Sequence, residues 1–359
     1  MIRRFVVALM GLALASTAAA QPAAGPPAGP PAGPPRAFVF PPVKPTGPGA
    51  PVQHIKVHGR SLEGNLEGDA VDRDVVVVLP PSYAHAKAKR YPVIYFLHGF
   101  MLTGQYFSDF MHAPEAALAF SKTGGEFIIV IPDTDTKMGG SMYSSSPTTG
   151  DFEAFVAKDL VGYIDGHYRT LAKRASRGLV GHSMGGYGVW KIAMKYPQVW
   201  SSIYAMSACC LSARTETVES AKKIADIPYA QAGTAGFGER AALASTVAWS
   251  PNPKNPPYYA DFAYKDGAVD PTVIARWAAN SPLAMASSHI PELKTFTAIA
   301  SDGGDKDGLT KDATSMHDLL DGFGVNNSFE VYPGGHADKI AGRFPVKILP
   351  FFAKHLAKK

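Results

Sequence analysis

The sequence predicts an α/β protein built on a doubly wound, mostly parallel sheet. Three observations predict it. Short apolar runs alternate with helix-length amphipathic segments from Arg73 to the C-terminus, the rhythm of strand–helix–strand units. Two runs, Val93-Ile94-Tyr95-Phe96-Leu97 and Phe127-Ile128-Ile129-Val130-Ile131, are apolar throughout, as strands covered on both faces should be. Gly181-His182-Ser183-Met184-Gly185-Gly186 joins the apolar run Gly178-Leu179-Val180 to a helical segment, Tyr187 to Tyr196. The G-x-S-x-G form puts a serine on a sharp strand-to-helix turn, with glycine where side chains would collide.

The elements follow in order. Residues 1–20 read as a signal peptide: Arg3 and Arg4, an apolar stretch Phe5 to Ala15, then Ala18-Ala19-Ala20 as a cleavage site. The apolar stretch is shorter than the roughly 20 residues that span a bilayer. We therefore expect export, to periplasm or medium, without stable membrane insertion. Residues 21–51 repeat Ala-Gly-Pro-Pro from Ala24, Ala28 and Ala32. Poor in donors and unable to bury apolar surface, they are expected to be a disordered or polyproline-like linker. Residues 52–359 suit one large domain.

Within it, Arg73 to Leu79 is expected as a strand closed by Pro80-Pro81, and Val93 to Leu97 and Phe127 to Ile131 as two more. Asp151 to Tyr168 has apolar residues at helical spacing, with Asp151 placed to cap. After the serine turn and its helix come a strand at Ser202 to Met206 and another at Lys294 to Ile299. A helix at Leu309 to Phe323, a strand at Ser328 to Tyr332 and a closing helix at Phe344 to Leu356 complete the chain. Right-handed crossovers put the C-terminal strand ends along one edge, where ligands of such sheets bind. Residues 211–292 break the rhythm. They are rich in Ala and Pro and carry Trp249, Tyr258, Tyr259, Phe262 and Tyr264. A cap over the ligand edge is expected, a surface excursion being the alternative.

The formal charge is +5, two units of it from Arg3 and Arg4, and the lysines are scattered. That argues against nucleic acid or an anionic membrane as partner. Cys209 and Cys210 are the only cysteines and are adjacent. Two buried thiols are expected, since a bridge between neighbours needs a strained ring; neither a zinc site nor any other metal site is expected.

A serine nucleophile needs a base within hydrogen-bond reach, and histidine suits neutral pH. Of eleven histidines, His336 follows a strand in Tyr332-Pro333-Gly334-Gly335-His336, before the last helix. The acid that orients it should lie on the loop Ser301-Asp302-Gly303-Gly304-Asp305-Lys306-Asp307-Gly308. Three aspartates compete there. A calcium loop is excluded, because the D-x-D-x-D-G register fails and no glutamate follows at the twelfth position. An oxyanion hole needs two backbone N–H groups. Met184, after the serine, offers one, and Phe100 in the turn Leu97-His98-Gly99-Phe100 the other. His98 either contacts substrate or holds that turn. No cofactor is required.

With these motifs in hand, the chain resembles the esterase D-like family of α/β-hydrolases, which holds S-formylglutathione hydrolases, feruloyl esterases, enterochelin-type esterases and mycolyltransferases. The resemblance runs from about Val75 to the C-terminus and omits most of residues 211–292. Gly181 to Tyr187 followed by Lys195-Tyr196-Pro197 is similar to the family's serine turn and helix. Gly304-Asp305-Lys306-Asp307 is similar to its G-x-x-D acid loop, which ranks Asp307 first and Asp305 second. Gly140-Ser141-Met142-Tyr143 resembles a pocket-lining stretch, implying a substrate contact at Tyr143. The resemblance implies an α/β-hydrolase fold and a serine hydrolase of carboxylic esters with Ser183, His336 and Asp307 as triad. Its substrate would be a small-molecule or glycan-linked ester; the motifs leave plant-wall aryl (feruloyl) or acetyl esters, siderophore esters and xenobiotic esters open. Export argues against S-formylglutathione, a cytosolic metabolite. An acyltransferase with the same triad and a non-catalytic binding protein on the same fold are the rival readings.

Overall fold

A computed structural model describes residues 41–359. The expected signal peptide and the linker up to residue 40 lie outside the described residues. The rest of the linker is not a free tether. Ala50 is buried and donates its N–H to the Pro114 carbonyl (2.8 Å), while Thr46 N–H reaches Glu115 Oε1 (3.2 Å). Tyr106 donates its hydroxyl to the Pro41 carbonyl at 3.3 Å. A proline-rich chain has few donors, and here two of them fasten it to a helix.

Eight strands form the central sheet: β1 (Val52–His58), β2 (Asp72–Val78), β3 (Val93–Leu97), β4 (Ile128–Pro132), β5 (Arg177–His182), β6 (Ser202–Met206), β7 (Ala298–Gly304) and β8 (Ser328–Tyr332). Their order is β1-β2-β4-β3-β5-β6-β7-β8. Only β2 runs against its neighbours; every other pairing is parallel. The alternation of faces is visible within single strands. Val93, Tyr95 and Leu97 point into one apolar layer, Ile94 and Phe96 into the other. That two-sided burial is why these runs carry no polar alternation.

Helices α1 (Gly104–Phe110) and α2 (Ala113–Ser121) cover one face together with the final helix, α8 (340–355). The other face holds α3 (152–167), α4 (Met184–Lys195), much of the insertion, and α7 (Thr310–Gly322). Asp151 caps α3 by accepting the Ala154 N–H at 2.9 Å, and the helix widens to a π turn over Phe155–Leu160. No helix among the described residues is long and apolar enough to cross a membrane.

Two departures from the sequence reading bear on the site. β7 lies later than Lys294 to Ile299, since Ile290–Leu293 closes a helical turn and the strand continues through Asp302-Gly303-Gly304. Those residues look like loop but pair in register with Glu330, Val331 and Tyr332 of β8. The insertion builds helices at Val218–Ala225, α5 (Phe237–Trp249) and α6 (Pro271–Ala279). Trp249, Tyr258 and Trp277 are buried in its core, and the Trp249 indole donates to Ser144 Oγ at 3.1 Å. Tyr258 and Trp277 bond within the insertion, to the Ile227 carbonyl and Ser250 Oγ, and Trp249 fastens it to the Ser144 loop and the serine helix.

Candidate active site

The loops after β3, β5, β7 and β8 leave the same edge of the sheet and bring four segments together. At the end of β5 the chain turns so tightly that a Cβ on Gly181 would lie 2.3 Å from the Gly185 carbonyl oxygen. One on Gly185 would lie 2.1 Å from that of Leu97. Neither contact is tolerable, so glycine is obligatory at both. Ser183 sits between them at φ 57°, ψ −115°, a conformation costing about 1–3 kcal/mol for a residue with a Cβ. Hydrogen bonds hold it there. Ser183 N–H donates to Met206 O (3.0 Å), and its carbonyl accepts from Tyr187 N–H (3.0 Å) and Cys209 N–H (3.1 Å).

The strained turn presents Ser183 Oγ to His336 Nε2 at 2.8 Å, and His336 Nδ1 lies 2.8 Å from Asp307 Oδ2. The Asp307 side chain is 4 % exposed, and its Oδ1 accepts the Leu309 N–H. The competing aspartates go elsewhere. Asp305 is exposed and accepts the Gly334 N–H at 2.9 Å, tying the acid loop to the histidine loop. Asp302 is fully buried and bound to Arg343, Tyr204 and the Ser207 N–H, so it knits β7 to β6 and α8.

Phe100 follows the glycine turn after β3. A Cβ on Gly99 would stand 3.5 Å from Ser183 Cβ, and one on Gly140 would strike both Met184 Sδ and Phe100 Cδ2. The β3 turn thus lies against the serine turn. Among the described residues, neither Phe100 N–H nor Met184 N–H donates to a protein acceptor.

The substrate contacts expected at His98 and Tyr143 are not available. His98 is fully buried. Its Nε2 accepts the Thr134 N–H (2.9 Å), so Nδ1 carries the proton and donates to Gly99 O (2.8 Å). Burial pushes its pKa down, keeping the ring neutral. Tyr143 is equally buried and donates its hydroxyl to the His98 carbonyl at 3.1 Å. Both hold the β3 turn from behind.

Cys209 and Cys210 are free thiols of intermediate exposure, less buried than expected, with the Cys210 thiol against the Cys209 sulfur. No group of three or more His, Cys, Asp or Glu among the described residues could hold a metal ion. The insertion reaches the β3 turn through its helix α5. Phe237 of α5 packs edge-on against the Phe100 ring, centroids 5.5 Å apart.

Sequence reasoning missed one participant. His182 lies beneath His336: its Nε2 donates to the His336 carbonyl at 2.9 Å, and burial, then the neighbouring His336, pushes its pKa down to about 3. Its place in the serine motif was the available signal.

The family model described as "Putative esterase" matches residues 70–340. The esterases Rv1288 and MT1326, from two strains of Mycobacterium tuberculosis, are each 32 % identical over 127 residues, 34 % of this chain and 26 % of theirs. The match thus spans about a quarter of those relatives. Among solved structures, a ferulic acid esterase superposes with TM-score 0.62 at 22 % identity, over 85 % of this chain and 98 % of its own. The fluorophosphonate-binding serine hydrolase FphF of Staphylococcus aureus gives 0.58 at 17 % identity, over 87 % and 100 %. The S-formylglutathione hydrolase of Staphylococcus aureus gives 0.55 at 15 %, over 86 % and 99 %. The chain belongs to this esterase family and has the α/β-hydrolase fold.

Proposed function

We propose that the protein is an exported esterase in which Ser183, His336 and Asp307 form the catalytic triad. The observation that carries this reading is the unbroken chain from Ser183 Oγ to His336 Nε2 to Nδ1 to Asp307 Oδ2, 2.8 Å at each link.

The chemistry follows from the donors and acceptors. With Nδ1–H given to Asp307, His336 Nε2 is free to accept the serine proton. Ser183 Oγ attacks the ester carbonyl carbon, and the Phe100 and Met184 N–H groups receive the developing oxyanion. His336, now doubly protonated and stabilised by Asp307, returns the proton to the leaving alkoxide. Water, deprotonated by the same imidazole, then releases the acid and restores the serine. Neutral His182 matters in this cycle: a second imidazolium under His336 would oppose the charge His336 must gain.

The substrate is a carboxylic ester, with feruloyl-like or acetyl esters the leading class. That a ferulic acid esterase shares the fold supports this choice. Export rests on the N-terminal charge and hydropathy pattern.

Ser183→Ala should lower ester turnover by at least about 10⁴-fold and abolish labelling by a fluorophosphonate. Undiminished labelling of the variant would overturn the assignment.

A further inference from the structure

The first turn of α5 carries Phe237 and Arg240 three residues apart, on one face of the helix. Phe237 is 56 % exposed. Arg240 lies over Gly139. A Cβ on that glycine would stand 3.0 Å from Arg240 Nη2, 3.1 Å from Phe100 Cζ and 3.1 Å from Met101 Cγ. Gly139, at φ +94°, and Gly140 therefore form a bare floor. The guanidinium and the Phe100 ring rest at one end of it and Met184 at the other. Both proposed oxyanion donors belong to residues that touch this floor.

The Arg240 side chain is half-buried. Its Nε is buried with no hydrogen-bond partner, and Arg240 forms no ion pair among the described residues. Asp135 feels its charge without pairing with it, and the pKa of Asp135 is itself pushed up to about 6 by burial and by Asp133. A buried, unsatisfied charged donor costs more than a neutral one, and a planar guanidinium is best satisfied by a carboxylate. Beside a site that handles esters, such a group is a reader of substrate charge.

We propose that Arg240 is a specificity-determining residue that pairs with a carboxylate carried by the ester substrate, across the Gly139-Gly140 floor from Met184. The proposal rests on the esterase reading above and names the charge class that reading leaves open. The carboxylate belongs either to the acyl part or to the alcohol part, and the test separates the two.

kcat/KM is measured for two matched pairs. One is 4-nitrophenyl butyrate against 4-nitrophenyl hemiglutarate, with the anion on the acyl side. The other is 4-(methoxycarbonyl)phenyl butyrate against 4-carboxyphenyl butyrate, with the anion on the alcohol side. In one pair, Arg240→Gln should lower the anionic-to-neutral ratio about tenfold, chiefly through KM, and Arg240→Glu should lower it further. Arg240→Lys should keep most of it. Added salt should compress the wild-type ratio. Ratios in both pairs that are the same in wild type, Arg240→Gln and Arg240→Glu overturn the proposal while leaving the esterase standing. Absence of wild-type turnover on all four esters overturns the esterase reading, and this one with it.

Discussion

His182 donates its Nε2–H to the backbone carbonyl of His336 at 2.9 Å, and the two rings lie 4.9 Å apart. The residue before Ser183 thus holds the backbone of His336. Its Nδ1 is buried without a partner, so protonating it would place a charge with no acceptor inside the protein.

That arrangement makes stability depend on pH with a definite sign. The pKa of His182 falls from 6.5 to about 3 on folding, through burial first and the charge of His336 second. The unfolded chain therefore binds a proton that the folded chain refuses. Stability is intact above pH 6.5 and declines as pH falls from there toward 3. At pH 4.5 this one group should cost about 2–3 kcal/mol. Glutamine can still donate to the His336 carbonyl but does not titrate. Urea unfolding at pH 7 and pH 4.5 should show His182→Gln losing less stability than wild type by about that amount. Equal losses would mean that His182 titrates normally.

The two aspartates of the acid loop should separate cleanly. Asp307 faces His336 Nδ1, whereas Asp305 holds Gly334 N–H. Asp307→Asn leaves the shape but offers His336 a donor where it needs an acceptor. kcat should fall about 10³–10⁴-fold. Asp305→Asn keeps an oxygen for Gly334, and its kcat should change about tenfold at most. Steady-state kinetics on one neutral ester reads both, and the reverse order would move the acid's role to Asp305.

What the sequence made legible was what local pattern governs. Val93 to Leu97 ends where its apolar run ends, and the alternating segment Ser328 to Tyr332 is the strand its pattern predicts. The serine turn was legible because Gly181 answers a collision with Gly185, four residues on. What stayed hidden depends on approach across long separations. Asp302-Gly303-Gly304 has loop composition, and only its pairing with β8 makes it strand. His98 looks like a ligand residue until Thr134, 36 positions away, occupies its free nitrogen. Arg240 meets Gly139 across a gap of about a hundred residues, and no helical periodicity marks it out. The aromatics of residues 211–292 read equally well as pocket or core, and Trp249 went to core because Ser144 met its indole N–H.

Glu67 lies on the loop between β1 and β2. It is 5 % exposed, and both carboxylate oxygens are buried with no hydrogen-bond partner. Burial, then the adjacent Asp69, raises its pKa from 4.5 to about 9; Lys137 opposes the shift without cancelling it. At neutral pH the folded chain therefore keeps a proton that the unfolded chain releases. Stability is fully present below pH 4.5 and is lost as pH rises toward 9, by an amount on the order of 3–5 kcal/mol at pH 8. Glutamine has the same shape, carries no charge at any of these pH values, and brings an amide that can donate to the unpartnered Oδ2 of Asp69. Glu67→Gln should therefore raise the Tm by several degrees at pH 8 and by little at pH 5, read by differential scanning calorimetry in matched buffers. A gain of the same size at both pH values, or a larger one at pH 5, would show that Glu67 is ionised in the folded protein and that its carboxylate has found a partner.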